Sequence, residues 1–69
     1  MTQTKMILKH MAEGRRITPG EALSEYGCMR LAARIADIRR LGLRVASRKV
    51  TRLNRYGKKV SFSEYWLEV

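Results

Sequence analysis

The chain has 69 residues, one cysteine and one histidine, and its 15 Lys and Arg outweigh 6 Asp and Glu to give a formal net charge of +9. That length fits a single domain, residues 1–69, which buries only about 60% of its unfolded surface and is therefore marginally stable. Cys28 alone excludes an intrachain disulfide, Cys28 and His10 are too few for a zinc site, and no apolar run nears the ~20 residues of a membrane span.

The N-terminal segment lacks the sustained apolar core and small-residue cleavage site of a signal peptide, so a reducing cytoplasm is the expected location. A first helix is expected over Thr4 to Ala12, with Ile7, Leu8 and Met11 on a narrow apolar stripe and Gly14 as its stop. His10 falls on a helix of mixed polarity and is expected to be solvated. Arg15 to Ile17 reads as a short extended link whose isoleucine packs inward.

The "TPGE" stretch is the sharpest local signal. Thr18 is a good N-cap, Pro19 suits the first helical position and Glu21 completes a capping box. The helix it opens runs from Pro19 to about Tyr26, with Ala22, Leu23 and Tyr26 on one face, and Gly27 ends it. A third helix is expected over Cys28 to Leu41. Leu31, Ile35, Ile38 and, marginally, Leu41 repeat at helical spacing, while Met29, Arg30, Ala33, Asp37 and Arg40 take the other side. Gly42 stops it.

Beyond Leu43 the apolar period falls to two. Val45 to about Leu53 reads as a strand, Asn54 to Lys58 as a turn, and Lys59 to Val69 as a second strand. Val60 and Phe62 share one phase of that second strand while Tyr65, Leu67 and Val69 share the other, which predicts a bulge or twist near Ser63–Glu64.

Charge distribution carries the functional signal. From Arg39 to Lys59 nine residues are basic and none is acidic. A solvated face ordinarily mixes signs, because like charges repel in the compact state, so this run points to a polyanionic partner. Two helices joined by a tight glycine turn form a helix-turn-helix, and a basic hairpin after them makes the winged variant. The expected fold is therefore mainly α with a C-terminal β-hairpin: a winged helix-turn-helix of three helices plus a wing.

The stretches "ILKHMAEGRRITPGEALSEYGCMRLAARIADIRRLGLRV" and "RLNRYGKKVSFSEYWL" carry a resemblance over nearly the whole chain. They are similar to the small winged helix-turn-helix domains of bacteriophages and prophages, which share an "ITPxEA" helix start, a "YGCxRLAARIxDLRxxG" helix and an "NRxGKK" hairpin. The resemblance implies a DNA-binding fold and leaves operator and regulated process open.

Within that fold the third helix is expected to enter the major groove of double-stranded DNA, about 12 Å wide. Arg30 offers a bidentate pair to guanine, and Met29 and Ala33 offer apolar contact to thymine methyls. Arg34 joins this base-contact set, and Asp37, three residues on, either orients it toward a phosphate or forms a purely structural pair with it. Arg40, Arg48, Arg52, Arg55, Lys58 and Lys59 are the expected backbone or wing contacts, with Arg55 suited to a narrow minor groove. Arg39 and Arg40 also complement the dipole at the helix end.

Phe62, Tyr65 and Trp66 are expected to pack the hairpin on the helices, and Cys28 to be a buried thiol. No pair of carboxylates and no nucleophile with a base converges, so a non-enzyme without cofactors is expected. The resemblance implies a phage or prophage transcriptional regulator or a recombination accessory factor in the cytoplasm of a bacterial host cell, expected to be monomeric in isolation or weakly dimeric on DNA. A second reading is a phage-encoded inhibitor that binds a host protein through the Phe62, Tyr65, Trp66 and Leu67 cluster.

Overall fold

The structure, a computed structural model, describes residues 2–68. Val69, expected at the end of the last strand, lies outside the described residues. Three helices, α1 (Gln3–Ala12), α2 (Pro19–Tyr26) and α3 (Leu31–Arg40), precede an antiparallel hairpin of β1 (Val45–Leu53) and β2 (Lys59–Leu67). This is the expected architecture.

Local chemistry sets most of the boundaries. Thr2 caps α1 by accepting the Lys5 N–H, and Thr18 caps α2 by accepting the Glu21 N–H at 3.3 Å while its hydroxyl donates to Glu21 Oε1. Capping satisfies orphan donors that a helix start otherwise leaves open. Gly27, at φ +64°, ends α2 in the left-handed region and lets the Cys28 N–H turn back to the Ala22 carbonyl at 3.0 Å.

That turn corrects the expected start of α3. Cys28 is drawn into the core, Met29 is 85% exposed, and Arg30 is the N-cap with non-helical φ −127°, ψ 65°, so the helix begins at Leu31 rather than Cys28. Arg30 therefore projects from the junction and not from the first helical turn. Leu31, Ile35 and Ile38 do form the inward stripe. Leu41 and Leu23, both assigned to apolar faces, are exposed, because the core is too small to reach them.

The core consists of Ile7, Met11, Ile17, Ala22, Cys28, Leu31, Ile35, Ile38 and Val45, with Tyr65 and Leu67 packed on its edge. His10 sits inside it, 1% exposed, which overturns the solvated reading. Its Nε2 faces the Arg16 carbonyl at 2.9 Å, an acceptor only, so that nitrogen carries the proton. Nδ1 then accepts from the Tyr26 hydroxyl at 2.7 Å. Burial, reinforced by the neighbouring Glu25 carboxylate, raises the Tyr26 pKa above its usual value and keeps that donor protonated. A half-polar helix can thus bury its histidine because both ring nitrogens find partners.

The hairpin register is unbroken from Val45↔Leu67 to Leu53↔Lys59, so of the bulge or twist expected near Ser63–Glu64 the bulge is absent. The change of apolar phase has another cause: both faces carry apolar residues. Side chains alternate across a strand. One face therefore holds Val45, Tyr65 and Leu67 over the core, and the other holds Trp66 and the Val50–Phe62 pair. Phe62 thus sits on the face away from Tyr65.

One further pairing ties this ribbon to the helices. Ile17 forms an antiparallel bridge with Tyr65, each N–H donating to the other's carbonyl at 2.9 Å.

Replacing Tyr26 by Phe leaves His10 Nδ1 buried without its donor. The expected loss is about 1–3 kcal/mol, read from the urea midpoint; an unchanged midpoint would mean the hydroxyl bond contributes nothing.

Candidate nucleic-acid interface

Two features meet on one side of the molecule. Pro19, the Met29–Ala33 segment, Ser63 and Tyr65 line an open cleft between the start of α3 and the hairpin. Ser63 is paired with Lys49 and shares a face with Thr51, Ser61, Leu53 and Lys59. The outer reach of the hairpin therefore presents Lys49 and Lys59 on the same face as Met29, Arg30 and Ala33. Thr51 and Ser61 hydroxyls lie 3.3 Å apart across the two strands between these lysines. The result is a short polar, cationic strip.

On α3, Ala33, Ala36 and Arg40 fall opposite the Leu31–Ile35–Ile38 stripe. Alanines there allow a close approach of the helix to a flat surface. Arg30 has no side-chain capping bond, and its cation stands at a helix N-terminus where positive charge is disfavoured. Among the described residues no side-chain hydrogen bond or ion pair holds that arginine.

The expected site residues divide by what already holds them. Arg34 Nε lies 3.3 Å from Asp37 Oδ2, in ion-pair contact but without hydrogen-bond alignment, and Arg40 donates to Asp37 Oδ1 at 3.3 Å. Arg34 and Ala33 are half-buried, whereas Met29 and Arg30 are exposed. Arg48 bonds Glu64 at 3.1 Å, and Arg39 donates to the Val45 carbonyl at 2.8 Å, tying α3 to β1. Among the described residues, Arg30, Lys49, Arg52, Arg55, Lys58 and Lys59 enter no ion pair.

Alternation separates these further. Arg48 and Arg52 belong to the face opposite Ser63, with Trp66 and Phe62. Lys49, omitted from the expected contacts, belongs to the cleft face. The signal for it was present in the sequence: counting by two from the inward Val45 reaches Lys49.

Arg16, Arg48, Glu64 and Trp66 make a brace on the far face. Arg16 stacks its guanidinium 4.3 Å from the Trp66 ring centroid and donates to Glu64 Oε1 at 3.0 Å, the same oxygen that Arg48 reaches. The Arg16 bond above all, with Arg48 second to it, holds the Glu64 carboxyl below the usual glutamate range.

At the tip, Asn54 organises everything. Its N–H donates to the Lys58 carbonyl, its carbonyl accepts from Gly57, and its Oδ1 accepts from Tyr56 and Lys58 at 2.9 and 3.0 Å. Gly57 takes φ +76°, a conformation open to few other residues.

A family described as the winged helix-turn-helix domain matches residues 2–69. The chain belongs to that family. No curated protein and no solved structure matches it. Membership in the winged helix-turn-helix family points to DNA as the partner. No helix among the described residues is long and apolar enough to cross a membrane. His10, Glu21 and Glu25 bring potential ligand atoms within 4.8 Å of one another. Both His10 nitrogens are already bonded, however, so this winged helix-turn-helix domain has no free imidazole lone pair there.

Because the folded-state pKa of Glu64 is lowered, its contribution to stability is complete above the ordinary value of about 4.3 and fades as pH falls through the folded one. Glu64→Gln should therefore be less stable than wild type at pH 6, with the two converging below about pH 4. Thermal melts by circular dichroism check this, and a gap independent of pH would refute it.

Proposed function

We propose that this protein binds double-stranded DNA with α3 and the α2–α3 turn in the major groove and the hairpin, as a wing, on the adjacent groove and phosphates. One observation carries the reading: the start of α3 lines a single cleft with Ser63 and Tyr65 of the wing, whose strand face also holds Lys49 and Lys59, and no acidic side chain among the described residues pairs with Arg30 or these lysines. Met29, Arg30 and Ala33 would meet base edges, with Arg34 at their margin. Lys49, Arg55, Lys58 and Lys59 would meet phosphate or the minor groove, Arg40 would meet backbone at the far end of α3, and Arg48 and Arg52 would lie further out.

The biological role we favour is a phage or prophage transcriptional regulator or recombination accessory factor that acts as a monomer or pairs only on DNA. The rival reading, inhibition of a host protein through the aromatic cluster, loses support because Tyr65 packs on the core and Trp66 lies beneath Arg16.

Duplex binding should weaken steeply with salt, log K falling with slope about −0.9 per phosphate neutralised. Sequences selected from random duplex DNA should give a motif that Arg30→Ala relaxes. Lys49→Ala should instead weaken all sequences alike and reduce the slope by about one. Absence of duplex binding at low salt would sink the proposal.

A further inference from the structure

The wing tip carries more apolar surface than a phosphate contact needs. Leu53 is 68% exposed and Tyr56 78%, and both stand among Arg52, Arg55, Lys58 and Lys59. Single exposed apolar residues are ordinary, but two such large ones on a rigid, highly cationic tip are not a solubility pattern. The tip is also ordered in advance. The Asn54 side chain and backbone take up the N–H groups of Tyr56, Gly57 and Lys58, so little freedom remains to be lost on binding.

The occupant such a tip fits must offer phosphates flanking a narrow surface of C–H groups. The DNA minor groove does so: it is about 6 Å wide, its edges are phosphate, and sugar C–H groups line its walls. Leu53 shares the face of Lys59 and Ser61, the face that continues towards the start of α3.

Resting on the DNA reading above, we infer that Leu53 and Tyr56 make an apolar contact inside the minor groove while the tip cations hold its phosphate edges. Leu53 and Tyr56 then supply affinity that salt does not screen, and the lysines supply the part that it does.

Salt titrations separate these contributions, because the slope counts neutralised phosphates and extrapolation to 1 M salt isolates the remainder. Fluorescence anisotropy on a labelled duplex would compare wild type, Lys58→Ala and the double variant Leu53→Ser, Tyr56→Ala, with circular dichroism confirming that each is folded. The double variant should keep the wild-type slope and lose about tenfold or more in extrapolated affinity, the scale of withdrawing two apolar contacts. Lys58→Ala should lower the slope by about 0.9 and leave the extrapolated value unchanged. Netropsin, which fills the minor groove, should bring wild type down to the level of the double variant.

An unchanged extrapolated affinity in the double variant, or indifference to netropsin, overturns the inference while leaving DNA binding intact. Failure of wild type to bind duplex at low salt strikes the underlying reading instead. Binding only to phosphatidylglycerol vesicles, with Tyr56 required, would overturn the inference in favour of a lipid surface.

Discussion

The pairing of Ile17 with Tyr65 is the constraint on which the rest of the molecule hangs. A two-stranded ribbon is marginal in water on its own, and it needs a third strand or a packed face to persist. The bridge supplies both, since Ile17 is fully buried and its two hydrogen bonds hold the edge of β2. Alternation then leaves Arg16 no choice of side: it must lie on the far face, where Trp66 and Glu64 receive it. One residue later Thr18 begins α2. Three consecutive residues thus fix the wing, its brace and the first helix of the helix-turn-helix relative to one another.

Charges in this domain fall into two populations. Asp37 holds Arg34 and Arg40, and Glu64 holds Arg16 and Arg48; these arginines shape the protein. The remaining cations on the wing and at Arg30 have no acidic partner among the described residues, and their mutual repulsion is a standing cost to the folded state. A small core tolerates that cost only because buried groups such as His10 are fully hydrogen-bonded.

Much of this was legible from residues one to four positions apart. Thr18, Pro19 and Glu21 announced α2, Gly27 its end, and the strand limits at Val45 and Leu53 followed from the change of period. What escaped depends on distance in space. Helical periodicity runs smoothly backwards from Leu31 to Cys28, and only the turn made by Gly27 shows that Cys28 belongs to the core and Arg30 to a junction. His10 looked solvated because its partners lie six and sixteen residues away. The bulge was inferred from one strand, whereas apolar pairs on both faces become visible only when Val50 meets Phe62. Of the residues placed at the candidate interface, Arg30, Arg55, Lys58 and Lys59 are named by charge and by position in the expected elements, whereas Lys49 needs a count by two along the strand from the inward Val45.

The outer edge of β1 has a consequence of its own. Its nine residues have β2 on one side and no further strand within the described chain on the other. An open edge of that length is a template on which a second molecule can add its own strand, the first step towards aggregation. Arg48, Lys49 and Arg52 are spaced along it, and two such edges approaching each other would bring these like charges together. The basic residues of the wing therefore also oppose strand addition by a second copy, which offsets the hazard of an uncovered strand in so small a domain.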